Sequence, residues 1–206
     1  MLSFFALINE ILHDSTIFVS QYGYYGITVL MFLESASIPI PSEVIMPLAG
    51  HYSRIGILNP ILTIFIAVVA GVLGALLDYY IALAIGKEAV YKHAGFFHIS
   101  RDKLDTFDDW FSRNGVFAVF IVRLLPAVRG LISFPAGFAG MPLKKFVLST
   151  ALGSMVWDTV LFYFGYYALS LNIYLMIMFV AILGVVLTVI YYVFMHHIQK
   201  NTLSGS

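Results

Sequence analysis

The run Val116–Met141, VFAVFIVRLLPAVRGLISFPAGFAGM, is apolar enough for a membrane, yet it carries Arg123 and Arg129 and is interrupted by Pro126, Gly130 and Pro135. A guanidinium at mid-bilayer costs about 3 kcal/mol on insertion scales. Proline inside a helix removes one hydrogen bond and clashes with the preceding turn. A straight span is therefore a poor home for this run. A second run, Tyr24–Gly50, has the same texture, with Glu34, Glu43, Pro39, Pro41 and Pro47. At 1.5 Å per residue, limbs of roughly 10–15 residues on either side of a break reach about half of a ~30 Å hydrocarbon core. Both runs thus suit re-entrant hairpins, which dip into the membrane and return to the same face. Broken backbone at that depth is tolerated only when buried in protein or lining a watery cavity.

The rest of the chain agrees with a membrane. Of 206 residues, 61% are hydrophobic and 11% charged, and the mean hydropathy is +0.93. A water-soluble domain could not hide that much apolar surface. The formal net charge is zero, so no basic field points to nucleic acid. There is no cysteine, which excludes disulfides, thiolate nucleophiles and cysteine metal sites. The first 25 residues hold no Lys or Arg, so no cleavable signal peptide is expected. The expected fold is an all-α integral membrane protein forming one membrane domain over residues 1–200, with 201–206 a tail. Its parts are an amphipathic N-terminal helix (1–22), re-entrant hairpin 1 (24–52), a transmembrane helix (60–86) and a linker with an amphipathic helix (87–114). Re-entrant hairpin 2 (115–141), a second transmembrane helix (143–170) and an extra C-terminal one (172–196) follow.

Loop charges set the orientation. With 115–141 re-entrant, eight cations (Lys87, Lys92, Arg101, Lys103, Arg113, Lys144, Lys145 and Lys200) share one side and Arg54 lies opposite. If that run spans instead, the bias falls to five against four. The positive-inside rule favours the hairpin and makes the linker and the C-terminus cytoplasmic. The two halves also echo each other. Gly26 and Glu34 match Gly115 and Arg123; Ala49-Gly50 matches Ala139-Gly140; Gly74 and Asp78 match Gly153 and Asp158. Each unit is a hairpin plus one crossing, so the second must be inverted relative to the first, an arrangement used by transporters.

Hairpins entering from opposite faces bring their tips together, placing Glu34 and Glu43 against Arg123 and Arg129. A purely structural ion-pair cluster could be built more cheaply from apolar side chains. Arginine at such a site suits phosphate, whose oxygens it holds in a bidentate fork. Glu34 and Glu43 are the candidate proton-coupling groups, competing for the same arginines. Asp78 and Asp158 are secondary candidates, either as proton sites or at helix contacts near Gly74 and Gly153. Trp157 reads as packing or interface anchoring. No catalytic residue, metal or cofactor is implied.

These residues carry a resemblance. FLESASIPIPSE (Phe32–Glu43) with Pro47-Leu48-Ala49-Gly50, then RLLPAVR (Arg123–Arg129), AGFAGMP (Ala136–Pro142), Phe146, Gly153 and Trp157, resemble the two signatures of the DedA family. That family belongs to the SNARE-associated, or VTT-domain, membrane proteins. The resemblance implies opposed re-entrant hairpins, lipid translocation and dependence on the proton motive force. The implied cargoes are undecaprenyl phosphate and phosphatidylethanolamine, and eukaryotic members are lipid scramblases. The acidic pair maps onto Glu34 and Glu43 and the basic pair onto Arg123 and Arg129. Ser42 and Val122 stand where many members have glycine, which leaves the cargo subgroup open. The expected function is therefore a lipid flippase of the cytoplasmic membrane, moving a phosphate-bearing lipid, best undecaprenyl phosphate, with proton coupling. A phosphatidylethanolamine or general phospholipid translocase, a cation/proton antiporter and a membrane lipid phosphatase are the alternatives. The partners expected are the phosphate-bearing lipid and protons, with a second copy of the chain as a further candidate.

Overall fold

A computed structural model describes residues 17–86, 101–126 and 128–168. Most of the expected N-terminal helix (1–16), the first part of the linker (87–100) and the C-terminal transmembrane helix (within 169–206) lie outside the described residues. Every regular element among the described residues is helical. In chain order they are α1 (Tyr24–Ser35), α2 (Ser42–Arg54), α3 (Pro60–Ile85), α4 (Arg101–Val122), α5 (Ser133–Phe138) and α6 (Leu143–Ala168).

Local chemistry fixes these boundaries. After α1, Ser37 takes a left-handed φ of 58°, and Pro39 and Pro41 bar a return to helix until Ser42. Pro47 lies inside α2, where it withdraws the N–H that the Glu43 carbonyl would accept. α3 opens on a side-chain cap, Asn59 Oδ1 accepting from the Leu62 N–H at 3.1 Å, with Pro60 in the first turn. It closes at Gly86, whose φ is 78°. Asn59→Ala should lower stability by about 1 kcal/mol, read as a reduced melting temperature of the purified protein with unchanged helix content.

α4 differs from expectation. An interfacial helix and the first limb of a separate hairpin were expected to divide near residue 115, but the helix runs unbroken from Arg101 to Val122. The buried stripe of Phe111, Ala118 and Val119 continues through that point. The next proline is Pro126, and the helix ends at Val122, four residues earlier, whose carbonyl the proline cannot donate to and would crowd.

Among the described residues, two helices are long and apolar enough to cross a membrane, Pro60–Ile85 and Leu143–Tyr167. Glycines bring the shorter limbs against them. Gly74 of α3 faces the Phe32 carbonyl of α1, and Gly153 of α6 faces Phe120 and Arg123 at the end of α4. Gly137 of α5 faces Tyr79 of α3, while Gly50 and Gly165 let α2 and α6 meet backbone to backbone. Thus α3 touches α1 and α5, and α6 touches α2 and the end of α4. Tyr79 helps lock one of these junctions. Its ring stacks on Phe146 at 4.7 Å, and its hydroxyl donates to the Met141 carbonyl at 2.6 Å. Ala75, Phe111, Ala118, Val119 and Ala136 complete that apolar cluster.

Candidate functional site

The breaks in the short helices put polar side chains where the long helices carry their acids. Glu34 sits in the last turn of α1, and Ser37 in the turn after it. Arg123 follows the last residue of α4, and Arg129 lies in the irregular segment before α5. Asp78 comes from α3 and Asp158 from α6, and both are buried. Arg123 and Asp158 are 0% exposed, Arg129 1% and Glu34 9%. Burial of this completeness makes every unpaired polar atom costly.

Arg129 joins α1 to α6. Its Nε lies 3.0 Å from Glu34 Oε1, close enough for an ion pair but outside hydrogen-bond alignment. Its Nη1 donates to Asp158 Oδ1 at 3.1 Å. Ser35 Oγ donates to the other Glu34 oxygen at 3.1 Å. Arg123 is held differently. Its Nη2 donates to Ser133 Oγ at 2.9 Å, and it forms no ion pair among the described residues. Arg123 Nε and Nη1, Arg129 Nη2 and Asp158 Oδ2 are buried without a hydrogen-bond partner. Asp78 accepts from Ser37 Oγ, and the buried Trp157 donates through Nε1 to Ser42 Oγ at 3.4 Å.

The expected pairing is thus partly redistributed. Glu34 meets Arg129. Glu43 is half-buried at the start of α2 and makes no ion pair among the described residues, although it lies within electrostatic reach of Arg129 and Glu34. Asp158, given a secondary place from sequence, is the second carboxylate on Arg129. Trp157 is packed inside rather than anchored at an interface. Ser133, Ser37 and Ser35 were not singled out from sequence. The signal available was a hydroxyl amid apolar residues close to an intramembrane charge.

The shared Arg129–Asp158 contact has a measurable consequence. Breaking a buried pair from one side leaves an uncompensated charge, so Arg129→Gln and Asp158→Asn should each destabilise by roughly 3–5 kcal/mol. The double variant should fall short of their sum by about 1–3 kcal/mol. Denaturation of the four proteins in one detergent checks this, and strict additivity would show that the pair is not coupled.

A protein-family model described as VTT domain matches residues 40–167. Undecaprenyl phosphate transporter A of Staphylococcus aureus is 35% identical over 190 residues, covering 86% of this chain and 92% of that protein. The protein of the same name from Bacillus subtilis is 32% identical, over 78% of this chain and 77% of its own length. An alkaline phosphatase-like protein of Lactococcus lactis is 34% identical over 71% of each chain. No solved structure matches at a significant level.

Proposed function

Because this chain belongs to the VTT-domain family, whose DedA members its motifs resemble, we propose that it transports a phosphate-bearing lipid across the cytoplasmic membrane, with undecaprenyl phosphate as the first cargo to test. The observation that carries the reading is Arg123, which is fully buried and pairs with one serine while two of its nitrogens stay unsatisfied. Buried guanidinium nitrogens left without a hydrogen-bond acceptor are costly. A phosphate that presents two oxygens to a guanidinium fork removes that penalty. The names of the two transporter relatives support the same cargo chemistry.

Arg123 receives the phosphate first, since no carboxylate among the described residues is within ion-pair distance of it, although Glu34, Asp158 and Asp78 lie within electrostatic reach. Arg129 follows, through its free Nη2, and its hold on Glu34 and Asp158 loosens as the phosphate arrives. The site brings four carboxyl groups, Glu34, Glu43, Asp78 and Asp158, near two guanidiniums, so charge balance already calls for bound protons. An arriving anion calls for more. Proton exchange at Glu34, with Glu43 and Asp158 assisting, couples the proton gradient to cargo movement. The lipid chain stays along the apolar outer faces.

The architecture that supports this is a pair of re-entrant hairpins, α1–α2 and the end of α4 with α5, entering from opposite faces. The reciprocal contacts of α3 and α6 with limbs from both halves support an inverted repeat. Rocking of one unit against the other then alternates access. The cationic loops lie on the cytoplasmic side.

The test is a carrier assay in proteoliposomes that offers undecaprenyl phosphate and phosphatidylethanolamine separately. Faster movement of undecaprenyl phosphate is expected. Equal or faster movement of phosphatidylethanolamine would replace this reading with a general phospholipid translocase. The lactococcal relative's name favours one second reading, a lipid phosphatase. Inorganic phosphate released from the lipid by the purified chain would establish that activity, and none is expected.

A further inference from the structure

An apolar groove of about 350 Å³ runs between α4 and α6, lined by Val116, Phe117, Phe120, Leu148 and Leu152, with Arg113 and Asn114 at one end. Cavities of that size lie at the lower end of the range for small-ligand sites. Its inner end is Phe120 and Leu152, and next to them Gly153 lies against the Phe120 carbonyl and the Arg123 stem. Arg123 itself is fully buried. Its outer end is cationic. Arg113 is exposed and forms no ion pair among the described residues. Lys144 and Lys145 are exposed one helical turn before Leu148 and Ser149 on the same face of α6, and Ser149 Oγ donates to the Lys145 carbonyl at 2.8 Å. Arg113 precedes Phe120 by seven residues and Lys145 precedes Gly153 by eight. At 1.5 Å per residue these cations lie about 10–12 Å along their helices from the inner end, so they share a depth.

Cations at the mouth and hydrocarbon along the length match one amphiphile with an anionic head. We propose that this groove is a docking site for a single phosphate-bearing lipid of the adjacent leaflet. Its headgroup sits on Arg113, Lys144 and Lys145, and its chain lies between α4 and α6. The step from there to Arg123 rests on the transport reading given above; the docking itself does not. A second copy of the chain is a poor occupant, because a two-fold contact here would set like charges against each other. A neutral lipid leaves the three cations unused.

Since the chain has no native cysteine, Leu148→Cys can carry one bimane label, with Ile61→Cys, an 81% exposed position on α3, as the reference. The full chain is placed in nanodiscs containing nitroxide-labelled phosphatidylglycerol or phosphatidylcholine at equal mole fraction. Phosphatidylglycerol should quench the Leu148 label saturably and at least about fivefold more strongly, as expected from about 1 kcal/mol per nearby cation. The Ile61 label should show no such preference. Removing the mouth with Arg113→Ala, Lys144→Ala and Lys145→Ala should abolish the preference. So should filling the groove with Leu152→Trp while the cations remain. Equal quenching by the two lipids, or a preference that survives Leu152→Trp, would overturn the site in favour of bulk lipid or diffuse attraction. Protein-concentration-dependent loss of quenching would overturn it in favour of self-association. Arg129→Lys should keep the quenching preference while losing transport. Wild-type transport in that variant would defeat the transport reading and leave the groove standing.

Discussion

Arg129→Lys should reduce lipid transport about 100-fold or more, the scale of losing a preorganised donor at a buried anion, while the protein folds and inserts as before. The charge is kept, so a loss cannot be put down to net electrostatics. What disappears is the fork. Arg129 presents Nε to Glu34 and Nη1 to Asp158 while Nη2 remains free. A lysine has one nitrogen at the end of a flexible stem and cannot serve both halves and a phosphate at once. Arg123→Lys should be equally inactive, because bonding to Ser133 would leave no planar pair of donors for the cargo. The measurement is initial flux of undecaprenyl phosphate in proteoliposomes at matched protein insertion. Wild-type rates in both variants would remove phosphate clamping from the mechanism.

The second large effect is on the fold. Gly165→Ala should prevent recovery of a folded protein or cost more than about 4 kcal/mol, a loss seen only when a specific structural requirement is broken. A Cβ at Gly165 would run into the carbonyl oxygen, carbon and Cα of Pro47. All three are backbone atoms, so no side chain can move aside. Gly50 meets the Phe162 carbonyl in the same junction. The contrast is Gly56, which has a positive φ of 83° but open space where its Cβ would go. Gly56→Ala should cost only about 1–2 kcal/mol of backbone strain. Size-exclusion profiles and melting curves of the two variants separate close helix approach from local conformation. Similar behaviour would mean that the α2–α6 junction is not a limiting contact.

Much of the helix layout was legible because its causes are local. Asn59-Pro60 announces the start of α3, Met141-Pro142 precedes α6, and Pro39, Pro41 and Pro126 stop helices by fixed sterics. The continuity of α4 was less legible. A change from charged to apolar composition near Gly115 looks like a boundary, but composition changes with environment while hydrogen bonding continues along the helix. At the site, the intramembrane arginines and acids stood out because charge there is expensive. Which acid meets which arginine did not. Pairing depends on how the helices pack, and in the packed structure Asp158 reaches Arg129 while Glu43 stays without an ion pair among the described residues. The serines went unnoticed for a related reason. A hydroxyl carries little cost in sequence terms, and only the folded turn shows Ser133 reaching Arg123.

The most direct measurement is the distance between arginine carbons and lipid phosphorus in a bilayer. Protein labelled with carbon-13 at arginine Cζ, in an Arg113→Ala background that silences the groove mouth, is reconstituted with undecaprenyl phosphate. Rotational-echo double-resonance NMR then reads the proximity of phosphorus-31. Strong dephasing within a few ångströms, lost in Arg123→Lys, is the expected result. No dephasing, or dephasing unchanged in Arg123→Lys and in Arg129→Lys, would contradict a buried guanidinium site for the lipid phosphate.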